Sequence, residues 1–360
     1  MNVPKLRFKE FNNLWQNEKL EDAVDFLDEK RKPIKDSDRN NIKGEYPYYG
    51  ASGIIDYIND YIFDEDLLLL GEDGANILSR STKLVFKATG KYWVNNHAHV
   101  LKPKENYNID FLESYLENIN YESYNTGTAQ PKLNQEVCKK INIKIPSLKE
   151  QEKIGKTLSL LDKKIELQSK KIEDLKLFTK NTISNELNNL QNYNIFKFKD
   201  ICNIQTGKSN TQDKCDDGIY PFYIRSENIE RSNNYIFDCE AVLTIGDGNI
   251  GKVFFYENGK FDCHQRVYVL NNFKNVLGKY VYYYFSAFFY KRAMSMSAKN
   301  TVDSVRMEMI SDMIIKVPQE KEQIKMINLF SSLDKKLGLE QNKLDKLQEL
   351  KKGLMQNMFV

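Results

Sequence analysis

The glycine-rich run Gly246-Asp247-Gly248-Asn249-Ile250-Gly251 fits the fingerprint of dinucleotide-binding loops letter for letter, and it follows an apolar stretch, Ala241 to Ile245, that reads as a strand. Such a loop holds a pyrophosphate only when a helix N-terminus comes next. What comes next is Lys252-Val253-Phe254-Phe255-Tyr256 and then Asn258-Gly259, which is strand and hairpin chemistry. The glycines therefore read as a tight turn between strands, with Gly71 to Gly74 as their counterpart. Gly207-Lys208-Ser209 resembles the end of a phosphate loop, but the glycine required five positions before Gly207 is Cys202. His97-Ala98-His99, if it lies on a strand, puts both imidazoles on one face and invites a metal reading. No third ligand stands nearby, and the preferred reading is a strand whose polar face meets nucleic acid or the core. Cys202, Cys215, Cys239 and Cys263 with His264 lack the paired short spacings of a zinc site. An adenine-type amino-methyltransferase needs an (Asn/Asp)-Pro-Pro-aromatic tetrapeptide, and no two of the eight prolines are adjacent. The residues thus assign this chain no catalytic group, no bound cofactor and no metal.

The elements that would carry any other chemistry are set by an internal duplication. The segment from Ile143 to Leu187 recurs from Ile315 to Phe359 at a constant offset of 172 positions without a gap. Lys144 matches Lys316, Pro146 matches Pro318, Lys149-Glu150-Gln151 matches Lys321-Glu322-Gln323, and Leu161-Asp162-Lys163-Lys164 matches Leu333-Asp334-Lys335-Lys336. Weaker matches lie upstream: Tyr61-Ile62-Phe63-Asp64 answers Tyr235-Ile236-Phe237-Asp238, Asp73-Gly74 answers Asp247-Gly248, and His97 answers His264. The plan is globular half, helix, globular half, helix, with divisions at 1–145, 146–190, 191–317 and 318–360.

Both repeated segments place apolar residues at alternating steps of four and three. The seam is Ile154, Leu158, Leu161, Ile165, Gln168, Ile172 and Leu175 in the first helix, and Met326, Phe330, Leu333, Leu337, Glu340, Leu344 and Leu347 in the second. That spacing makes a coiled-coil stripe, or else two amphipathic helices each docked on its own half. Gln168 and Glu340 hold equivalent mid-seam positions, so an antiparallel pairing would bring these polar residues close together and fix the register. A helix of about 40 residues is roughly 60 Å long and would act as a spacer.

The chain of 360 residues is long enough for each half to bury a core. Five cysteines, Cys138, Cys202, Cys215, Cys239 and Cys263, are an odd set without close spacing, and residues 1–15 carry no apolar signal segment, which points to reduced thiols in a cytoplasm. Tyr280 to Tyr290 is aromatic and far shorter than the roughly 20 residues that cross a bilayer, so it reads as a buried helix and not a membrane span. The formal net charge is only +3. Each half nevertheless holds an acid-free stretch: Gly74 to Lys104, with Arg80, Lys83, Lys87, Lys91, Lys102 and Lys104, and Cys263 to Val302, with Arg266, Lys274, Lys279, Lys291, Arg292 and Lys299. These stretches predict one positive face per half, unless acids fold in from elsewhere to neutralise them. A modest net charge suits a protein that reads bases while partners supply most phosphate contacts.

Asn95-Asn96-His97-Ala98-His99-Val100-Leu101, Gly127-Thr128-Ala129-Gln130-Pro131, Ile143-Lys144-Ile145-Pro146, Glu150-Gln151 and Leu161-Asp162-Lys163-Lys164 together resemble the specificity subunit of type I restriction-modification systems. The resemblance covers nearly the whole chain, duplication included. It implies an α+β chain of two mixed α/β target-recognition domains in tandem, each followed by a long helix, with the helices paired as an antiparallel coiled coil. It further implies a non-catalytic subunit that reads a bipartite double-stranded DNA target, one half-site per domain, with the spacer length set by the helices. The expected partners are two methyltransferase subunits and the restriction/translocase subunits. S-adenosylmethionine, ATP and Mg would belong to those partners. In the second half, Thr301-Val302-Asp303-Ser304 stands for Gly127-Thr128-Ala129-Gln130, and Cys263-His264-Gln265-Arg266 for Asn96-His97-Ala98-His99.

Base readout needs side chains with paired donors and acceptors on loops or strands that can enter the major groove. The candidates are Asn76, Ser79, Arg80, Lys83, Thr128, Gln130 and Lys132 in the first half, and Arg225, Asn249, Lys252, Gln265, Arg266, Lys299, Asn300 and Ser304 in the second.

Overall fold

A computed structural model describes residues 3–296 and 304–360. The chain forms two compact units, Met1–Ser169 with Asn342–Val360, and Lys170–Gln341.

The first unit begins with β1 (Gln16–Lys19) and β2 (Val24–Phe26), followed by β3 (Lys43–Gly50), β4 (Gly53–Ile58), β5 (Phe63–Asp64), β6 (Leu67–Gly71), β7 (Val85–Ala88), β8 (Lys91–Val94), β9 (Ala98–Pro103) and β10 (Asn142–Ile145). They build two four-stranded sheets, ordered β2-β9-β6-β7 and β4-β3-β8-β5, and a β1-β10 pair. The four-leucine run of β6 follows from its burial on both faces. Leu68 and Leu70 enter one core with the helix Ile109–Glu117, while Leu67 and Leu69 enter a second with Phe63, Tyr92, Val94 and Val100. Asn108 caps that helix, its side chain accepting from Phe111 N at 3.0 Å.

The second unit contains β11 (Tyr193–Lys197), β12 (Asn203–Thr206), β13 (Tyr220–Tyr223), β14 (Ile229–Ser232), β15 (Phe237–Ile245), β16 (Phe254–Cys263), β17 (Val267–Asn271) and β18 (Ile314–Pro318). Six of these form one sheet, β12-β17-β15-β16-β13-β14, and β11 pairs with β18. The aromatic segment is a helix, Gly278–Ser295, that buries Tyr280, Tyr283, Tyr284, Phe285 and Phe289. Among the described residues no helix is long and apolar enough to cross a membrane.

The two halves differ where the first breaks its strands. Thr89-Gly90 separates β7 from β8, with Gly90 at φ +70°. In the second half β16 runs unbroken through the corresponding Asn258-Gly259, paired to β15 at Glu240 and Cys239. The hairpin expected at Asn258-Gly259 is therefore absent. Pairing to β15 before, at and after this dipeptide holds the segment extended, and Gly259 takes φ +147° within the strand.

The repeated segments form the helices Leu148–Asn188 and Glu320–Met358. In each unit a stretch of one lies antiparallel to a stretch of the other. In the first unit Asp162 pairs with Lys351, and Ile154 and Leu158 share a core with Met358 and Phe359. In the second, Lys171 Nζ meets Glu340 Oε1 at 2.9 Å, and Leu187 shares a core with Met326 and Phe330. Leu161, Ile172, Leu333 and Leu344 are also buried, whereas Ile165, Gln168, Leu175, Leu337 and Leu347 are half-buried. The buried stripe continues past Leu175 to Thr179 and Leu187. Glu340 is only 6% exposed, and the Lys171 ammonium supplies the countercharge that a buried carboxylate requires. Ile154, Leu158, Met326 and Phe330 also join the cores of their own globular halves, so the start of each helix is docked as well as paired.

The Lys-Glu-Gln motif explains that docking. Gln151, buried, accepts from Asn108 N at 2.9 Å and donates to Pro146 O at 3.0 Å and Asn106 O at 3.3 Å. Gln323 repeats the arrangement, accepting from Leu277 N at 2.9 Å and donating to Pro318 O at 2.9 Å. Glu150 accepts from Arg7 Nε at 2.7 Å and Nη2 at 2.8 Å, a bidentate ion pair at 1% exposure of the carboxylate side chain. Replacing either glutamine by leucine removes the partner of a main-chain N–H and of two carbonyls at Gln151 or one at Gln323. We expect Gln151→Leu and Gln323→Leu each to destabilise its unit by about 1–3 kcal/mol in denaturant unfolding. Unchanged midpoints for both would remove the amides from the account of docking.

Candidate nucleic-acid interface

In the first unit three turns meet at one end of the β6-β9 pair. The turn after β6 carries Glu72, Asp73 and Gly74, the turn before β9 carries Asn95, Asn96 and His97, and the loop 125–132 closes over them. Glu72 N donates to His97 O at 2.9 Å, Leu133 N to Glu72 O at 2.8 Å, and Gly74 N to Pro131 O at 3.0 Å. Asn95 is buried, and its side-chain oxygen accepts from His97 N at 2.8 Å. Asn125 fastens the loop: its oxygen accepts from Gly127 N at 3.0 Å and Lys132 N at 2.9 Å. A Cβ on Gly127 would lie 1.8 Å from Gln130 O, so only glycine allows this closure. Thr128 and Gln130 are left exposed at the tip.

Beneath this edge lies a charge network drawn from distant parts of the chain. His99 Nδ1 bonds Asp28 Oδ2 at 2.6 Å and Nε2 bonds Leu133 O at 2.8 Å. Both partners accept, so both ring nitrogens carry protons and the ring is an imidazolium. Burial pulls the His99 pKa down, but the Asp28 and Cys138 contacts outweigh it and raise the value to about 10. Burial pushes the Asp28 carboxyl up, and His99, Val100 N and Arg31 more than reverse this, leaving it below its ordinary value. Arg31 also reaches Glu72 at 2.7 Å, and Lys132 Nζ lies 3.3 Å from the same carboxylate.

Ligand atoms of Asp28, Glu72 and His99 lie within 4.8 Å of one another. They do not fit a cation, because the imidazolium has no lone pair to offer and Arg31 and Lys132 already neutralise Glu72. The expectation that His97 and His99 share one strand face is corrected. His97 lies in the turn before β9, half exposed, with Nδ1 at 2.7 Å from Asp73, whereas the His99 side chain is 1% exposed.

The second unit repeats three of these bonds. Gly246 N donates to Arg266 O at 2.7 Å, Val305 N to Gly246 O at 2.7 Å, and Arg266 N to the buried His264 Nδ1 at 3.0 Å. Asn95 N donates to Tyr49 O at 3.0 Å and His264 N to Tyr223 O at 2.9 Å. These bonds correct two matches made from sequence. His264 takes the place of Asn95 and not of His97, and Arg266 takes the place of His97 and not of His99. Isolated bridges join Asp73 to Lys132 and Asp247 to Ser304, so Ser304 corresponds to Lys132 and not to Gln130. Burial, followed by the Arg225 charge, lowers the His264 pKa, which suits an Nδ1 that accepts.

The Gly246–Gly251 run is the turn between β15 and β16, without a helix after it; Gly248 and Gly251 take φ +78° and +67°. Ser209, in the would-be phosphate loop, donates to the buried Asp262 at 2.8 Å. All five cysteines are free thiols. Burial raises the Cys202 pKa to about 12, which makes it unreactive.

Several candidates are committed elsewhere. Asn76 uses its amide to fold the 79–83 loop, accepting from Thr82 N and donating to Thr82 O and Lys83 O, with Ser79 bonded to Ser81. Arg80 pairs with Glu117 at 2.8 Å, and Lys83 lies between Glu113 and Asp162 at 3.3 and 3.2 Å. Lys87, Lys102 and Lys104 meet Asp110, Glu65 and Asp25, and Lys91 covers the Tyr61 ring. The positive face expected from Gly74 to Lys104 is thus overturned, since acids from outside the stretch neutralise it. In the second unit Arg225 lies 3.3 Å from the Asp247 carboxylate, Ser304 is bridged to Asp247, Arg266 O accepts from Gly246 N, Gln265 bonds Asn210 at 2.8 Å, and Asn249 lies in the turn between β15 and β16. Lys252 stands over the Tyr290 ring. Lys299 and Asn300 lie outside the described residues. The base-reading candidates drawn from the sequence did not include Asp73, His97, Asn125 or the Arg31-Glu72 pair, and Arg31 and Glu72 lie 41 positions apart in the chain.

The chain matches the type I restriction modification DNA specificity domain twice, over residues 12–177 and 191–349, and it belongs to that family of DNA-specificity proteins. It is 28% identical over 349 residues to a Haemophilus influenzae chain named as a type I restriction enzyme specificity subunit, covering 88% of this chain and 86% of that one. Its fold is that of the S subunit of a type I restriction-modification system from M. genitalium, with a TM-score of 0.73 at 15% identity over 99% of both chains. A chain from a structure addressing complex assembly and conformational transition of the type I R-M system matches with a TM-score of 0.56 at 12% identity, over 97% of this chain and 98% of that one.

Gly127→Ala, which forces the 125–132 loop open, is expected to weaken duplex binding by roughly tenfold, the scale of one lost contact of about 1–3 kcal/mol, with little change in the unfolding midpoint. Binding at wild-type strength would remove the loop from the interface. The folded His99 pKa lies above its ordinary 6.5, so its contribution to stability is complete below about pH 6.5 and is lost as pH rises toward about 10. Denaturant midpoints measured across that window should fall for the wild type and flatten for His99→Gln. Parallel curves for the two proteins would refute the network.

Proposed function

We propose that this chain reads a bipartite double-stranded DNA target, one half-site per unit, for a type I restriction-modification complex, and that the catalysis is carried by its partners. The observation that supports this reading most is that both units hold one edge by the same main-chain bonds while exposing different side chains, as two readers of two half-sites would. The paired helices are the proposed docking element for two methyltransferase subunits and for restriction/translocase subunits. S-adenosylmethionine is expected with the former, and ATP and Mg with the latter. Five free thiols fit a cytoplasmic setting.

Genomic DNA from cells expressing this chain with its neighbouring methyltransferase subunit, mapped against DNA from cells expressing the methyltransferase alone, tests the proposal. A bipartite N6-methyladenine motif is expected only with this chain. Its absence, when both proteins are produced and associate, would overturn the partnership.

A further inference from the structure

A base-reading position needs a main chain that is fixed and a side chain that the fold does not use. The place held by His97 in the first unit and Arg266 in the second has such a main chain, and each side chain there keeps polar atoms that the fold does not use. Its N–H is bound by the preceding buried side chain, Asn95 or His264, and its carbonyl by Glu72 N or Gly246 N, so the backbone is fixed identically whichever residue stands there. Both side chains are exposed. The Arg266 guanidinium pairs with no carboxylate among the described residues, while neighbouring Arg225 takes Asp247. The His97 ring is oriented by Asp73 through Nδ1, which leaves Nε2 as the presented atom.

We infer that this position determines specificity in each half: Arg266 reads a guanine through its N7 and O6, and His97 reads one base of the other half-site through Nε2. The inference rests on the recognition role proposed above and adds which residue reads and what it reads.

The test uses the full chain co-expressed with its methyltransferase subunits, comparing wild type, Arg266→Gln, Arg266→Lys and His97→Arg by methylation mapping and by competition with duplexes varied one base pair at a time. Arg266→Gln and Arg266→Lys should each reduce discrimination at one guanine-containing pair roughly tenfold to a hundredfold, since lysine lacks the planar fork. The other half-site should be unaffected. His97→Arg should change one pair in that other half-site. Unaltered discrimination in Arg266→Gln and His97→Arg, full discrimination in Arg266→Lys, or equal weakening on every sequence would each overturn the inference. A lowered unfolding midpoint would also overturn it, by giving the side chain a role in the fold. Absence of any motif with the wild-type chain is a separate result, and it removes the recognition role itself.

Discussion

The fold depends on one buried amide, used twice. Gln151 and Gln323 each tie the start of a long helix to the strand before it and to the N-terminus of the helix covering the recognition sheet. An amide suits this junction because it donates and accepts at once without bringing a charge into the interior. Gly155 completes the junction in the first unit: a Cβ there would lie 2.6 Å from Asn108 Oδ1, so its absence lets the long helix approach the capped helix end. The direction in which each long helix leaves its globular half is therefore set by hydrogen bonds, which have preferred angles, as well as by apolar contact, which does not.

Electrostatics follows a similar economy. The first half spends nearly all the cations of its acid-free stretch on internal carboxylates, and its His99 imidazolium is enclosed with Asp28. What remains at the edge is polar and short in reach: Thr128, Gln130, Asn96 and His97. Such a surface gains little from attraction to phosphates in general and more from matching particular base edges, which is the balance expected when other subunits of a complex hold the duplex.

The duplication, the two long helices, the buried aromatic helix and the reading of Gly246 to Gly251 as a turn were legible because each depends on local spacing. The charge pattern was not. Whether Lys83 is free depends on Glu113 and Asp162, which only the fold brings near. The alignment of His97 with His264 failed for a related reason. Identical letters suggested an offset of 167, while the main-chain bonds place His264 on Asn95, because an imidazole nitrogen and an amide oxygen accept the same N–H equally well. In the same way the Asn258-Gly259 pair carries a turn signal that continuous pairing along β16 overrides.

The first unit is assembled from two separate stretches of chain. Leu6 N donates to Asn357 O, and Phe359 packs its ring against Phe111 and Tyr115 at 5.8 and 5.5 Å. The second unit, by contrast, is one uninterrupted stretch, Lys170–Gln341. On the ribosome, then, the second unit has its whole sequence in one stretch, while the first waits with part of its apolar surface uncovered until residues 342–360 emerge. Synthesis begins the first unit before the second but supplies its closing segment only after the second is complete.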